Sequence, residues 1–347
     1  MHFIKRMKKK YKIAFSMVEL SVVLIIISVI IGSVIAANKI SYASKLSVAR
    51  SLTASSPVKD MDGLFVWLET TMPQSIDNSD IGSNRPVQVW HDLSPRHNDA
   101  VLGDNRTSCS GAALPVNTNS TCLAYRSNGI NGLPSIFTSG DNGGGCYFRF
   151  DNYKQLEMSD YTIIVVEQFI RNTTNNSISM AIIAHSNTST DTHGSLFIGY
   201  GDISGGNNIY FDDIGKVNNS DLLSNAGPLH YISSAQNVPK IHVFGLKQDY
   251  GKYYYLNGSN DSSIVPSQAS NYYTSTVGKT PILNTIPECP STSGNYFRST
   301  IFLGSYNNNN YNGHLAEIII FARSLRDNER REIEQYLSKK WNIPLLN

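Results

Sequence analysis

The hydrophobic pattern divides the chain into three stretches. From Phe15 to Ala37, "FSMVELSVVLIIISVIIGSVIAA" is apolar almost throughout, holds no proline and carries one charge, Glu19. At about 1.5 Å rise per residue, a helix over this run spans a hydrocarbon core of roughly 30 Å. The pattern then turns amphipathic. "NKISYASKLSVARSLTASS" sets Ile40, Ala43, Leu46 and Ala49 on one helical stripe with Lys39, Lys45 and Arg50 between them. Pro57 then signals a stop. The spacing predicts one helix from Phe15 to Ser55, about 60 Å long.

From Asp62 the period changes to two. "GLFVWLET", "VQVWHDLS", "CYFRFD", "YTIIVVEQFI", "SMAIIAH", "SLFIGYG", "KIHVFGLKQ", "YYYLNGS", "TIFLGSY" and "HLAEIIIFA" read as strands, and Asn257-Gly258 reads as a hairpin turn. So many short strands with polar turns predict a β-sandwich or jelly roll. One helix follows them. Ser324 or Asp327 is its expected cap, Glu329 sits in its first turn, Ile333, Tyr336, Leu337 and Trp341 form its apolar face, and Pro344 follows.

Charge refines this picture. Lys5, Arg6, Lys8, Lys9, Lys10 and Lys12 give the first 14 residues +6, while the whole chain carries +2, so the remainder carries 2 − 6 = −4. The basic leader fits a cytoplasmic N-terminus ahead of a membrane helix. A mildly acidic body argues against nucleic acid as a partner. The four cysteines, Cys109, Cys122, Cys146 and Cys289, form no CxxC pair. In an exported domain their even number reads as two disulfides, with Cys109–Cys122 and Cys146–Cys289 the preferred pairing and free buried thiols the alternative.

Glu19 separates three readings of the apolar run. A cleaved secretory signal has a shorter apolar core and a small-residue cleavage site, which "SVIAA" supplies. A plain signal anchor fits the length and leaves Glu19 unexplained. A charge in a membrane segment costs about 2.5–3.5 kcal/mol on insertion scales and therefore points to a function. The segment "AFSMVELSVVLIIISVIIG" resembles the N-terminus of type IV prepilins and pseudopilins. That resemblance implies a basic leader (1–14) removed by a prepilin peptidase between Ala14 and Phe15, with N-methylation of Phe15. It also implies an assembly role for Glu19, the fifth residue counted from Phe15, against the amine of a neighbouring subunit. The family has Gly before the cut, where this chain has Ala14.

A second resemblance covers residues 62–344. "GLFVWLET", "VQVWHDLSPRHNDA", "NGLPSIFTSG" and the ending "GHLAEIIIFARSLRDNERREIEQYLSKKWNI" are similar to bacterial concanavalin A-like, laminin-G-type modules. This implies the sandwich fold and says little about function, because one fold hosts many activities.

The body shows no catalytic motif. A retaining glycosidase needs two carboxylates about 5–5.5 Å apart, and no Glu-x-Asp-x-Glu strand supplies them. Glu157 and Asp160 fall on a loop, and Glu167 and Glu317 read as edge or solvent-face acids in strands. GxSxG, HExxH and P-loop patterns are absent. His91, His97, His185, His193, His230, His242 and His314 are scattered and read as surface or satisfied core positions. No cofactor is expected. Asp151, Asp212 and Asp213 are the candidates for Ca²⁺. "YFDD", "NYY" and "SYNNNNYNG" are candidate glycan loops without a named binding residue.

The combined expectation is a mainly β protein with a long N-terminal transmembrane helix, a concanavalin A-like jelly-roll sandwich and a short C-terminal helix. Its segments are leader 1–14, helix 15–56 with membrane part 15–37, linker 57–61 and sandwich 62–347. The expected function is non-enzymatic: a minor pilin or pseudopilin of a type IV pilus or type II secretion-like filament that displays a lectin-like domain. Its expected partners are the prepilin peptidase/methylase, other pilin subunits, the bacterial inner membrane and a glycan or surface-protein ligand, with the β domain periplasmic or extracellular. The alternatives are a membrane-anchored lectin-like protein and a cell-surface glycoside hydrolase.

Overall fold

The computed structural model describes residues 16–82, 86–102, 123–138, 148–150, 160–170, 180–186, 196–201, 208–213, 230–231, 237–247, 251–259, 300–303, 305–306 and 309–346. The chain divides into two units, 1–47 and 48–347.

The first unit holds most of helix α1 (Met17–Ala54). Residues 16–41 are exposed, including a continuous series of Val, Leu and Ile. A water-soluble helix buries such a face, so this one is built for an apolar surrounding. It is long and apolar enough to cross a membrane. α1 ends at Ala54, and Ser56 caps a single 3-10 turn at Pro57–Asp60 by accepting from the Val58 amide. Pro57 thus acts as the expected stop.

The second unit is mainly β. One sheet comprises β1 (Leu64–Glu69), β4 (Ala124–Arg126), β5 (Ser135–Thr138), β7 (Tyr161–Phe169), β12 (Lys240–Lys247), β13 (Gly251–Leu256) and β17 (Gly313–Phe321). Its order is β13-β12-β7-β17-β5-β4, and β1 also pairs with β17. The other sheet takes β2 (Val89–Trp90), β3 (Ala100–Leu102), β6 (Phe148–Phe150), β8 (Met180–Ser186), β9 (Leu196–Gly201), β10 (Asn208–Asp213), β11 (His230–Tyr231), β14 (Thr300–Leu303), β15 (Ser305–Tyr306) and β16 (Asn309–Asn310). Its main path is β11-β10-β9-β8-β14-β6-β3-β2. Helix α2 (Asp327–Trp341) follows β17.

Two cores result. Between the sheets lie Phe65, Trp90, Ile163, Val165, Ile198 and Phe244 among others. On the far face of the first sheet, Trp67, Ile164, Val166, Ile241, Val243 and Ile319 pack with Ile333, Tyr336, Leu337 and Trp341 of α2. The central strands β7 and β17 are covered on both faces, which explains their unbroken apolar runs. Each such side chain stabilises the fold by about 1.5–3 kcal/mol on full burial.

Two bulges set which residues face which core. Leu315 pairs with Glu167 and Glu317 with Val166, so Ala316 is the extra residue of β17. Leu64 pairs with Phe321 and Val66 with Ile320, so Phe65 is the extra residue of β1. Each bulge inverts the alternation beyond it. Glu317 therefore leaves the face that Leu315 occupies and reaches the α2 side, where Glu69 is its cross-strand partner.

The stretch after β2 departs from the expected strand because Asp92 folds it back onto β1. One Asp92 oxygen accepts from the amides of Trp67 (2.7 Å) and Ser94 (2.9 Å); the other accepts from the Asn98 amide (2.8 Å) and the Ser94 hydroxyl (2.6 Å). Asn98 donates in turn to the Phe65 carbonyl (3.0 Å), and Trp90 Nε1 to the Glu69 carbonyl (2.7 Å). The Asn131-Gly132 turn takes positive φ at both residues, and the Asn131 amide donates to the carbonyls of Trp341 and Asn342 at the end of α2. The start of α2 differs slightly from expectation. Arg326 is its N-cap, and Glu329 accepts from the Arg326 amide (2.8 Å).

Asp92→Ala strands three backbone donors in a buried loop, at about 1–3 kcal/mol each. The expected result is a loss of several kcal/mol, read as a lower unfolding midpoint of the detergent-solubilised chain.

Candidate functional site

At the start of α1, Ser16 and Glu19 form a reciprocal cap. The Glu19 carboxylate accepts from the Ser16 amide (2.9 Å), while the Ser16 hydroxyl accepts from the amides of Val18 (3.2 Å) and Glu19 (3.4 Å). This satisfies amide donors that the start of a helix leaves without an intrahelical partner. Glu19 thus has an intrachain use besides the expected intersubunit one. Ala14 and Phe15 lie outside the described residues, as do Cys109, Cys122, Cys146, Cys289, Asp151, Glu157 and His193.

The second constellation joins β1, β17 and α2. Lys340 Nζ lies 2.8 Å from Glu69 Oε2, 2.8 Å from Glu317 Oε2 and 3.1 Å from the Tyr336 hydroxyl. All three charged side chains have zero exposure. Glu317 also accepts from Trp67 Nε1, Trp341 Nε1 and Tyr336 OH, each at 2.8 Å. Glu69 accepts from the amides of Thr71 (2.8 Å) and Met72 (2.5 Å) and the hydroxyls of Thr71 (2.6 Å) and Ser75 (2.7 Å). Burial pushes the Glu69 carboxyl up, but the Lys340 charge and these donors outweigh it and hold it below the ordinary value. Burial likewise works against the Lys340 ammonium, and the two carboxylates outweigh it and raise its pKa. Thr53, in the last turn of α1, meets the Tyr336 hydroxyl at 3.3 Å.

The third constellation lies between the sheets. Glu167 of β7 accepts from Tyr200 OH (2.6 Å), from His242 Nε2 (2.9 Å) and from Tyr311 OH. Burial holds His242 below its ordinary pKa. As a neutral ring with Nε2–H toward Glu167, its Nδ1 accepts from Tyr254 OH (2.8 Å), which satisfies every partner. Burial and the Glu167 charge push the Tyr200, Tyr254 and Tyr311 phenols well up.

The reading of Glu167 and Glu317 as edge or solvent-face acids is therefore wrong: both are fully buried on central strands. Their partners are remote in sequence, 250 residues for Glu317 and Trp67 and 144 for Glu167 and Tyr311. Glu69, the other carboxylate of the first pair, carries no motif in the sequence and becomes visible only through its contact with Lys340. One signal was available in the sequence: Lys340 falls four residues after Tyr336 and next to Trp341, within the apolar stripe of α2. Asp212 and Asp213 occupy β10. Among the described residues no group of three His, Cys, Asp or Glu is placed to hold a metal.

At the surface, His91 stands between two acids, with Nδ1 3.0 Å from Asp99 and Nε2 3.3 Å from Asp77. The carboxylates lie on opposite sides of the ring and do not converge. Partial burial disfavours the charged ring, but the hydrogen bonds and charges of Asp99 and Asp77 outweigh it and raise its pKa.

Two outcomes follow. Lys340→Ala leaves two buried carboxylates facing each other, and breaking such a site costs about 3–5 kcal/mol; a greatly lowered unfolding midpoint is expected. The stability from His91 is fully present below its unfolded pKa of about 6.5 and is lost as pH rises through the higher folded value. His91→Gln is therefore expected to lower Tm at pH 5.5 and to leave it nearly unchanged at pH 8.5.

No family model and no curated protein matches this chain. Solved structures do. Trypanosoma rangeli sialidase is similar at 13% identity and a TM-score of 0.44, over 86% of this chain and 38% of that one. Domain 4 of an extracellular arabinanase from Geobacillus stearothermophilus, in complex with arabinotriose, is similar at 13% identity and a TM-score of 0.41, over 78% of this chain and 98% of that domain. The binding domain of Paraclostridial Mosquitocidal Protein 1 is similar at 15% identity and a TM-score of 0.39, over 80% and 52%. This chain spans well under half the length of the sialidases it matches. The expectation of a non-enzymatic chain is corrected: sialidases and one domain of an arabinanase stand among the similar structures. Identities and TM-scores at this level carry over no reaction and no substrate. What stands for this chain is a mainly β domain with one N-terminal helix apolar enough to span a membrane.

Proposed function

We propose that this chain is a prepilin-like subunit, held in the bacterial inner membrane by α1 and assembled into a type IV pilus or a type II secretion-like filament. In this reading a prepilin peptidase/methylase cuts between Ala14 and Phe15 and methylates Phe15. The β domain, 62–347, is displayed outside as a lectin-like module for a glycan or a surface protein. The observation that carries the reading is the start of α1: an exposed apolar run whose single carboxylate, Glu19, stands at the fifth position from Phe15.

The capping role of Glu19 sharpens the idea. In an isolated subunit the carboxylate serves its own helix start. Once Phe15 carries a free amine, the same carboxylate is available to a neighbouring subunit's positive charge. A buried polar pair of this kind fixes register between otherwise featureless apolar helices.

The mass of the N-terminal peptide from native membranes tests the processing step. N-methylated Phe15 at the start is the expected result, and an intact Met1 to Ala14 leader refutes it. Glu19 variants test assembly. Glu19→Gln can still accept from the Ser16 amide but lacks the charge. It is expected to insert and fold normally while incorporation into filaments drops at least about tenfold, the effect of about 1.4 kcal/mol on an equilibrium. Equal incorporation of the Gln variant would reduce Glu19 to a helix cap and favour a plain anchor.

A further inference from the structure

The Glu69–Lys340–Glu317 site contains the parts of an acyl-transfer centre as well as an ion triad. Lys340 Nζ is 2.8 Å from Glu69 Oε2, which brings the carboxyl carbon of Glu69 next to the nitrogen. On the other side, Glu317 Oε2 is 2.8 Å from the same nitrogen and is placed to take its proton. The remaining oxygen of Glu69, Oε1, faces two donors, the Met72 amide at 2.5 Å and the Ser75 hydroxyl at 2.7 Å. A backbone amide and a hydroxyl aimed at one carboxyl oxygen make an oxyanion hole. Oε2 has its own donors, the Thr71 amide at 2.8 Å and the Thr71 hydroxyl at 2.6 Å. The three charged side chains have no exposure to solvent.

We propose that Lys340 and Glu69 condense after folding into an intramolecular amide, with Glu317 as the proton carrier. Glu317 takes a proton from the ammonium, and Nζ attacks the Glu69 carboxyl carbon. The Nζ–Cδ bond forms, and the charge that develops on Oε1 is held by Met72 N–H and Ser75 Oγ–H. The Cδ–Oε2 bond then breaks. Oε2 leaves as water after receiving two protons from nitrogen, passed by Glu317 and the Thr71 hydroxyl. Ammonium plus carboxylate gives amide plus water, so no oxidant, reductant or other reactant is needed. Glu317 ends as it began.

Two physical arguments favour the product. Condensation removes the ammonium and one carboxylate from a place where holding each is costly, while Glu317 keeps the Trp67, Tyr336 and Trp341 donors in place of its counter-ion. The dry site also denies the amide the water that would hydrolyse it. Glu69 is the better acceptor of the two acids, because a hydroxyl touches its leaving oxygen. Glu317 Oε2 meets only Lys340 and the Trp341 indole. The bond would join β1 to α2 and close a covalent ring around nearly the whole β domain, from residue 69 to residue 340. It is independent of the filament reading.

Mass spectrometry of the full chain, purified folded and then reduced and denatured, decides the matter. The expected wild-type mass is lower by one water than the mass of the sequence counted from the N-terminus found. Trypsin is expected to leave the chain uncut after Lys340 and to release one branched peptide containing both Lys340 and Glu69. Lys340→Arg keeps the charge and is expected at full mass. Glu317→Gln is expected to accumulate the open form, with bond formation slowed about 100-fold. A wild-type chain at full mass after prolonged incubation overturns the proposal and leaves an ion triad. A water loss that persists in Lys340→Arg overturns it as well. Should the variants fail to fold, the wild-type mass and the branched peptide still decide.

Discussion

Glu69, Glu317 and Lys340 hold one another in a place that water does not reach. Removing Lys340 leaves two unpaired carboxylates in a low-dielectric interior, and removing either acid leaves the ammonium with one partner instead of two, so the three elements that carry them are committed together. Glu69 ends β1, Glu317 follows the bulge in β17, and Lys340 lies in the last turn of α2. The indoles of Trp67 and Trp341 and the phenol of Tyr336 complete the shell. Through Tyr336 the same shell reaches Thr53, so the last turn of α1 is part of it. A core of aliphatic side chains on this face would tolerate sliding of α2 along the sheet. A single ammonium between two fixed carboxylates does not.

The second polar cluster places the same kind of constraint between the sheets. Glu167 of the first sheet binds Tyr200 of the second, and His242 and Tyr254 extend the chain of hydrogen bonds across β12 and β13. Phe169 stacks on Tyr200 at a centroid distance of 4.2 Å, so the polar contact is walled by aromatic packing. A carboxylate with three donors is satisfied without water, which is what burial requires. The two clusters thus specify both contacts of the first sheet, one with α2 and one with the opposing sheet.

The sequence pattern told where the elements are better than what their polar residues do. The apolar run, the stop at Pro57, the α2 face and the runs of β7 and β17 were legible because each depends on near neighbours in the chain. The burial of Glu167 and Glu317 was not, because it depends on residues brought together across the fold and on a bulge at Ala316. A strict alternation puts Leu315 and Glu317 on one face, whereas the extra residue separates them. The strand expected around Val87–Ser94 shrank to Val89–Trp90 because Asp92 offers the following amides a closer acceptor than a neighbouring strand would.

The motif residues also explain why the module resemblance speaks for fold alone. Trp67 and Glu69 of "GLFVWLET" serve the triad, Asp92, Ser94 and Asn98 fold a loop onto β1, and Asn131 caps α2. Each is consumed by contacts inside the domain. Residues so engaged speak for the architecture and not for what the domain binds or transforms. Glu19 is different in kind. Its intrachain cap uses one carboxylate oxygen on a backbone amide at the exposed start of a helix apolar enough to cross a membrane. An exposed carboxylate on a short local cap keeps its solvation and commits no other element, whereas the buried acids of the β domain hold several elements of one chain together.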